Sequence, residues 1–278
     1  MNIGFINGEY INADEAVIPI DERGHQFGDG VYEVVKIYNS LPFLLDEHLT
    51  RLKESASAIQ LKLPYSLDDI KKIILEGIKR SELLNAEVYF QVTRGIAPRN
   101  HLFPNVSASF TMTIKPARKV SEQSYYKGIK TITTKDERWA NCHIKSLNLL
   151  PNVLAKQKAN NEESYEAILI KDGYVTEGSS TNVFVVKNNT LYTTPLTNNI
   201  LSGITRKNVL KLAQKLDVEV LEKSFTTEFL ISGDEAFLTS TTVEVLPIRS
   251  VNNKVILNGD PGPITKLLHE SFRQLYAE

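Results

Sequence analysis

The chain has 278 residues, 42% of them hydrophobic, so it can bury a core in one or two domains. Its 32 Lys and Arg balance 33 Asp and Glu, which argues against a nucleic-acid or anionic membrane partner. The single cysteine, Cys142, excludes an internal disulfide and a multi-cysteine metal site. The sequence shows neither a signal-peptide pattern nor a run of roughly 18 apolar residues, so we expect a cytoplasmic protein without a membrane span.

Short strands open the chain, where Ile3 to Ile6 precede Asn7-Gly8, a dipeptide that favours a tight hairpin. Two amphipathic helices follow. The first has apolar residues at helical spacing from Leu45 to Ile59. The second begins after Ser66, which together with the acid three residues later resembles a capping box.

Two further strands are predicted from Glu87 to Thr93 and from Phe110 to Ile114, with a long polar loop between them. The polar run from Arg118 to Lys127 has little periodicity and is the candidate linker, with the boundary near Val120. The predicted domains are residues 1–119 and 120–278.

The second half mixes strands and helices without a regular βαβ rhythm, which favours an α+β fold with antiparallel or mixed sheets. Its predicted elements are a strand from Ile129 to Thr134, a helix from Leu147 to Asn160, a hairpin from Tyr165 to Glu177 that turns at Asp172-Gly173, a helix from Thr205 to Leu216, strands around Phe237 and Val255, and a helix opened by Pro263.

Three hydroxyl-rich segments lie in this half. Ser202 to Thr205 precedes a helix, whose free N–H groups bind phosphate in many proteins, although the same pattern is typical of an ordinary helix start. Gly178 to Asn182 follows Glu177 and is also compatible with a plain turn. Ser240-Thr241-Thr242 ends an apolar strand, where hydroxyls usually bond to the nearby backbone.

Lys145 has a rather apolar neighbourhood, in which a neutral amine could react with an aldehyde cofactor, although most lysines simply reach solvent. Arg99 and His101, in the polar loop, could together bind a carboxylate or could be solvated loop residues. The histidines do not show metal-ligand spacing, so we expect no structural metal.

Six blocks of the sequence match one known family in collinear order. The chain resembles the class IV aminotransferases, which are fold-type IV pyridoxal-phosphate enzymes, over nearly its whole length. The D-amino acid aminotransferase branch is the most similar, through Tyr32, Gln91 to Gly95 and Pro98 to His101. The six blocks are Asp21–Gly24, Phe27–Glu33, Glu47–Leu52, Ile144–Asn148, Thr176–Phe184 and Gly203–Arg206.

This resemblance implies that pyridoxal 5′-phosphate is the cofactor and that Lys145 binds it covalently and transfers the proton in catalysis. Glu177 would face the pyridine nitrogen and keep it protonated. The other cofactor-binding residues that the resemblance implies are Arg51, Ile204, Thr205, Ser240 and Thr241 at the phosphate end and Leu201 against the ring.

The resemblance further implies a smaller N-terminal α+β domain and a larger C-terminal mixed-sheet domain, with the cofactor between them. Tyr32, Arg99 and His101 would bind the substrate α-carboxylate, and Arg99 and His101 would reach the neighbouring site of a homodimer. The expected reaction is a ping-pong transamination that converts D-alanine and 2-oxoglutarate into pyruvate and D-glutamate.

Two other functions remain open at this point. A branched-chain L-amino acid aminotransferase or an aminodeoxychorismate lyase of the same superfamily would share Lys145 and Glu177. A more distant alternative is a dimer that kept the fold as a binding or regulatory module without activity.

Overall fold

The computed structural model describes residues 2–276, which form two compact units. The first unit takes in the described residues up to 118 together with Ile144–Asn148, and the second takes in 119–143 and the chain from 149 onwards. No helix among the described residues is both long and apolar enough to cross a membrane. Each unit combines helices with a sheet, so the α+β class expected from the sequence is confirmed.

The short segment Ile144–Asn148 belongs to the first unit, although it lies beyond the boundary that the sequence suggested near Val120. Its main chain is tied to that unit, because the carbonyl oxygen of Lys145 accepts a hydrogen bond from the Tyr32 amide (3.0 Å). A contact between residues more than a hundred positions apart leaves no trace in a local pattern. Lys145 is therefore held by the first unit rather than by its sequence neighbours.

A six-stranded antiparallel sheet forms the centre of the first unit. Its strands are β1 (Ile3–Ile6), β2 (Glu9–Asn12), β3 (Gly30–Tyr38), β4 (Leu41–Pro42), β5 (Ala86–Thr93) and β6 (Ser109–Pro116), in the spatial order β2-β1-β6-β5-β3-β4. Alternate residues of β3 are buried, and Val31, Val35 and Ile37 are fully enclosed. Glu33 shares this buried face, which is an unusual place for a carboxylate.

Three helices accompany this sheet: α1 (Arg23–Phe27), α2 (Leu45–Ala58) and α3 (Leu67–Ser81). The apolar stripes of α2 and α3 pack into the same core as the buried face of the sheet. Ser66 caps α3 by accepting a hydrogen bond from the Asp69 amide (3.1 Å), as the sequence predicted. Neither α1 nor β3 was predicted from the sequence pattern.

A nine-stranded mixed sheet forms the second unit. Its strands are β7 (Ile129–Lys135), β8 (Glu166–Lys171), β9 (Tyr174–Gly178), β10 (Asn182–Lys187), β11 (Thr190–Thr193), β12 (Val220–Glu222), β13 (Glu235–Ser240), β14 (Glu244–Val251) and β15 (Lys254–Val255). The spatial order is β12-β11-β10-β13-β14-β7-β8-β9, with β15 paired to β14. The pairs β11–β12, β14–β7 and β7–β8 are parallel, and the others are antiparallel.

The hairpin of β8 and β9 turns at Asp172 and Gly173, as the sequence predicted. Both residues have positive φ (51° and 84°), which a tight two-residue hairpin turn requires and which glycine adopts without strain. The next residues of β9 lead directly to Glu177. The register set by this turn extends to Val175, and an irregularity in the pairing between Ile168 and Ile170 shifts it before Glu177.

Five helices complete the second unit: α4 (Glu122–Lys127), α5 (Leu150–Asn161), α6 (Ile204–Lys215), α7 (Thr227–Ile231) and α8 (Pro263–Gln274). Helix α4 lies inside the run that was predicted as a linker, where only Tyr125 is buried. Helix α5 begins at Leu150 rather than at Leu147, because Ile144–Asn148 pairs with the first unit. Pro151 lies in its first turn, as predicted, where its missing N–H has no cost.

Candidate active site

Lys145 is anchored through its main chain at both polar groups. Its amide donates to Ser55 Oγ of α2 (3.1 Å), and its carbonyl accepts from Tyr32 of β3 (3.0 Å). The side chain is half-buried, and Nζ lies 4.2 Å from the centroid of the Tyr32 ring. These bonds fix the backbone from which the side chain extends, and its amine lies against an aromatic face.

Arg51 of α2 lies in a buried ion pair. Its Nε and Nη2 donate to the two carboxylate oxygens of Glu33 (2.7 and 2.8 Å), and His48 Nδ1 lies 2.7 Å from Glu33 Oε2. Burial alone would raise the pKa of Glu33, but the charge of Arg51 and the bonds from Arg51 and His48 outweigh it and lower the pKa to about 2. Burial lowers the pKa of His48, so a neutral imidazole donates its Nδ1 proton to Glu33. The guanidinium orientation is thus fixed by two polar residues that the sequence analysis left unassigned.

Glu177 is a buried acid near the end of β9. Its Oε1 accepts from Arg138 Nη1 (2.5 Å), and its Oε2 accepts from Asn182 Nδ2 and from the Leu201 amide, each at 3.1 Å. Burial raises the pKa of Glu177 to about 7, against the opposing charge and hydrogen bonds of Arg138. The structure therefore brings the main chain of Leu201 to Glu177 and holds the carboxylate in a single orientation.

Arg138 is a residue that the sequence analysis missed. Besides Glu177, its Nη2 contacts Asp136 Oδ2 (2.7 Å) and the carbonyl oxygen of Asn199 (3.0 Å), and the side chain is 6% exposed. The available signal was the charged run of residues 135–138 directly after a predicted strand, which resembles a solvated turn. Its burial depends on contacts with Glu177 and Asn199, which are distant in sequence and leave no local pattern.

The N-terminus of α6 carries two of the residues predicted at the phosphate end, and it has no side-chain cap among the described residues. Gly203 is the N-cap residue. Ile204 and Thr205 are the first two helical residues, and both are buried. A Cβ on Gly203 would lie 2.2 Å from Asn182 Oδ1, so only glycine fits between this turn and β10. Backbone N–H groups in the first turn of a helix attract anions.

Ser240 and Thr241 lie at the end of β13, on which α6 packs. Ser240 Oγ is 3.1 Å from Thr242 Oγ1 and accepts a hydrogen bond from the Val243 amide (3.3 Å). Both predicted residues are half-buried. The strand that ends at Ser240 therefore packs against the helix that begins at Ile204.

The predicted carboxylate-binding residues fall into two groups with different neighbours. Tyr32 lies on the open face of the first sheet, with its ring 5.6 Å from that of Tyr89. Arg99 and His101 are exposed and both lie against Phe27, with Arg99 Cζ 4.4 Å and the His101 ring 5.5 Å from its centroid. The structure thus brings Arg99 and His101 together on one aromatic ring.

Cys142 and His269, outside the predicted site residues, do not form a further reactive or metal-binding site. Cys142 is buried, and burial raises the pKa of its thiol to about 11, which describes a packed and unreactive group. His269 Nδ1 lies 3.0 Å from the carbonyl oxygen of Val245. Across residues 2–276, no cluster of three His, Cys, Asp or Glu side chains is placed to hold a metal ion.

Comparison with known families gives one match over most of the chain. The model of the family described as Amino-transferase class IV matches residues 30–251. Two similar curated relatives are the D-alanine aminotransferases of Bacillus licheniformis, 46% identical over 94% of this chain and 92% of that protein, and of Staphylococcus haemolyticus, 40% identical over 97% and 96%.

Two solved structures with a similar fold are branched-chain amino acid aminotransferases rather than D-alanine aminotransferases. The branched-chain amino acid aminotransferase of Escherichia coli is 27% identical, with a TM-score of 0.93 over 99% of this chain and 94% of that one. A T.th. branched-chain amino acid aminotransferase, solved with pyridoxamine 5′-phosphate, is 26% identical, with a TM-score of 0.92 over 99% and 94%.

Proposed function

The chain belongs to the class IV aminotransferases, and from this premise we propose that it transfers the amino group of D-alanine to 2-oxoglutarate, forming pyruvate and D-glutamate. The observation that carries the proposal is the identity of 46% to a D-alanine aminotransferase along nearly the full length of both chains. The placement of Arg99 and His101 on one ring supports it, because a paired guanidinium and imidazole suit an α-carboxylate.

Enzymes of this family use pyridoxal 5′-phosphate, and the residues of this chain fit that group. Arg51 is a buried cation, and the uncapped turn at Ile204 and Thr205 offers N–H groups, so both suit a phosphate. Glu177 is a buried carboxylate that suits a protonated ring nitrogen, and Lys145 offers an amine. We propose that Leu201, Ser240 and Thr241 complete this set. When bound, the cofactor supplies an aldehyde that takes up the amino group and a ring that accepts electrons from the substrate Cα.

In this proposal the protein holds the reacting groups and moves the proton. Lys145 Nζ takes the proton from the substrate Cα, and its anchored main chain keeps the amine on one face of the substrate. The Glu177 carboxylate, held by Arg138, Asn182 and the Leu201 amide, would pair with a protonated ring nitrogen, whose charge would favour the ionised form of this acid. Glu33 and His48 keep the guanidinium of Arg51 in one orientation for the phosphate.

We propose that Tyr32 of one subunit and Arg99 and His101 of a second subunit bind the α-carboxylate in a homodimer. The side chains next to Arg99 and His101 support this, because Leu102 and Phe103 are 76% and 57% exposed. Neighbouring exposed apolar side chains of this size are typical of a surface that another chain covers. We place the enzyme in the cytoplasm, in keeping with its single unpaired cysteine.

A branched-chain L-amino acid aminotransferase is the second candidate, because the structures named above superpose on this chain with TM-scores above 0.9. The two functions share the residues that bind the cofactor and differ in the placement of the carboxylate relative to Lys145. That placement selects the enantiomer whose Cα–H faces the amine. Sequence identity to the D-alanine aminotransferases, at 40–46% against 26–27% for these structures, favours the D-enantiomer.

The direct test is an assay of the purified holoenzyme with D-alanine, L-leucine and aminodeoxychorismate. We expect 2-oxoglutarate-dependent release of pyruvate from D-alanine and little reaction with the other two. The Lys145→Ala variant, which removes the proton-transferring amine, should lose roughly 10²–10⁴-fold or more in kcat. A clear preference for L-leucine would overturn the proposed specificity, and an active Lys145→Ala variant would overturn the assignment of the lysine.

A further inference from the structure

The loop that carries Arg99 and His101 is closed at its base. It joins β5 to β6, and we call residues 95–107 the carboxylate loop. Gly95 has φ +93° and lies so close to the opposite side of the loop that a Cβ would approach the Ser107 carbonyl oxygen to 2.2 Å. Only glycine fits there, so the base is narrow and fixed. The exposed tip must be held by other contacts.

Those contacts come from α1. The Phe27 ring is the surface on which both functional side chains of the loop rest, with Arg99 Cζ 4.4 Å and the His101 ring 5.5 Å from its centroid. A guanidinium over an aromatic face is attracted by the ring quadrupole. An exposed arginine without such a contact samples many rotamers.

The ring itself is fixed by a buried charge cluster. Arg23 Cζ lies 4.8 Å from the Phe27 centroid, and Arg23 Nη1 donates to the carbonyl oxygen of Asn100 (2.6 Å), the residue between Arg99 and His101. Arg23 is fixed in turn by Asp29, whose Oδ2 accepts from its Nε (2.8 Å). Arg23 therefore holds the main chain at Asn100, between the two functional residues, as well as the Phe27 ring.

Asp29 extends this support to the far side of the loop. It also accepts from Arg94 Nε (3.0 Å), and Arg94 Cζ lies 3.6 Å from the centroid of Phe103. Arg94 is 7% exposed and donates to the carbonyl oxygen of Ile59 (2.8 Å). One carboxylate thus links two arginines, and each arginine contacts a different part of the carboxylate loop.

We propose that Phe27 is a positioning residue for substrate binding: its ring holds Arg99 and His101 together in the arrangement that accepts an α-carboxylate. The proposal rests on the proposed function, since it takes these two side chains as carboxylate ligands. Preorganised ligands lose less conformational entropy when they bind. Removing the ring therefore weakens binding of every α-carboxylate substrate and leaves the proton transfer at Lys145 intact.

The test uses Phe27→Leu and Phe27→Met, which fill the volume without a ring, in the holoenzyme. KM for D-alanine and for 2-oxoglutarate should each rise about tenfold, as expected when two side chains must be ordered on binding, with kcat within about twofold of wild type. The single-turnover half-reaction with D-alaninamide, which has no carboxylate and is measured without 2-oxoglutarate, should keep its wild-type rate. Phe27→Tyr keeps the ring and should restore the wild-type KM.

Phe229→Leu is the matched control, because Phe229 is also half-buried and also lies under a cation, with Lys187 Nζ 5.0 Å from its centroid. It should leave both KM values unchanged. The inference is overturned if the Phe27 variants keep the wild-type KM, or if their half-reactions with D-alaninamide and with D-alanine at low concentration slow equally. A wild-type enzyme that does not react with D-alanine would instead overturn the proposed function, so the two failures are distinguishable.

Discussion

Buried charged residues orient the side chains of the candidate site, and Glu33 is the clearest example. It lies on the helix-facing side of β3, where its neighbours Val31 and Val35 are apolar and fully buried. Removing a carboxylate from water is costly unless a cation compensates it, and here Arg51 does so through two hydrogen bonds. This pair fixes the orientation of the Arg51 guanidinium, which the proposed phosphate site requires.

The Glu33→Gln substitution should destabilise the protein strongly, because it leaves the buried Arg51 without a counter-charge. We expect a loss of about 3–5 kcal/mol in the free energy of unfolding, the usual cost of removing one partner of a buried ion pair. The matched control is Glu87→Gln on β5, because Arg118, the partner of Glu87, is 71% exposed in its side chain. That loss should be roughly 0–1 kcal/mol. Urea denaturation of the cofactor-free protein at pH 7 measures both values.

The same pair predicts a pH dependence. The pKa of Glu33 is lowered from 4.5 to about 2 in the folded protein, so its contribution to stability is present above pH 4.5 and is lost as the pH falls towards 2. The free-energy difference between wild type and Glu33→Gln should therefore narrow as the pH is lowered through that window. A difference that stays constant with pH would show that the carboxylate charge is not what stabilises Arg51.

At the residue level the sequence yielded Lys145 and Glu177 only because whole blocks resembled a family. The residues next to Lys145 in sequence do not distinguish it from other lysines. Its structural neighbours Tyr32 and Ser55, to which its main chain is hydrogen-bonded, are distant in sequence. Arg138 escaped prediction for the same reason, since a charged run after a strand usually faces solvent. These residues differ from ordinary surface charges because residues distant in sequence bury them, which a local pattern does not reveal.

At the level of elements, the start of α6 is a closely packed junction in the candidate site. Gly203 is the N-cap and lies against Asn182, whose Nδ2 donates both to Glu177 Oε2 and to the carbonyl oxygen of Leu201. One amide side chain therefore joins the predicted phosphate turn to the predicted acid. A shift of Asn182 would disturb both.

Gly203→Ala should weaken cofactor binding, because the added Cβ would lie 2.2 Å from Asn182 Oδ1 and must displace either that side chain or the helix start. We expect an increase of at least about tenfold in the Kd for pyridoxal 5′-phosphate, equivalent to ~1.4 kcal/mol. Fluorescence titration of the cofactor-free protein measures it. Lys211→Ala, an exposed change on the same helix, is the control and should leave Kd unchanged. An unchanged Kd for Gly203→Ala would rule out α6 as the phosphate turn.

Elements with strong local signals were predicted well, and those defined by tertiary pairing were not. Ser66 and the Asp172-Gly173 turn specify their structures through hydrogen bonding and φ alone, so the sequence was sufficient. Helix α5 was predicted three residues too early, because Ile144–Asn148 is drawn into the first unit. Strand β3 was missed because its buried face contains a glutamate, which breaks the apolar alternation that marks a strand.

At the scale of the whole molecule, the proposed homodimer assigns the exposed carboxylate loop to a neighbouring site. Arg99 and His101 lie on Phe27 in this chain, whereas Tyr32 contacts Tyr89 and lies beside Lys145. In the proposed dimer, each active site takes Lys145 and Tyr32 from one copy of the chain and Arg99 and His101 from the other. Symmetric dimers with one such shared interface contain two equivalent sites.

Mixing two inactive variants tests this arrangement. Lys145→Ala and Arg99→Ala subunits, unfolded together and refolded at equal amounts, should recover activity, because a mixed dimer contains one site with an intact Lys145 from one chain and an intact Arg99 from the other. Random pairing makes half of the dimers mixed, each with one of two sites working, so about one quarter of the wild-type activity should return. Each variant refolded alone is the control and should stay inactive at low D-alanine. If Arg99 instead served the site of its own chain, a mixed dimer would contain no complete site and the mixture would show no gain.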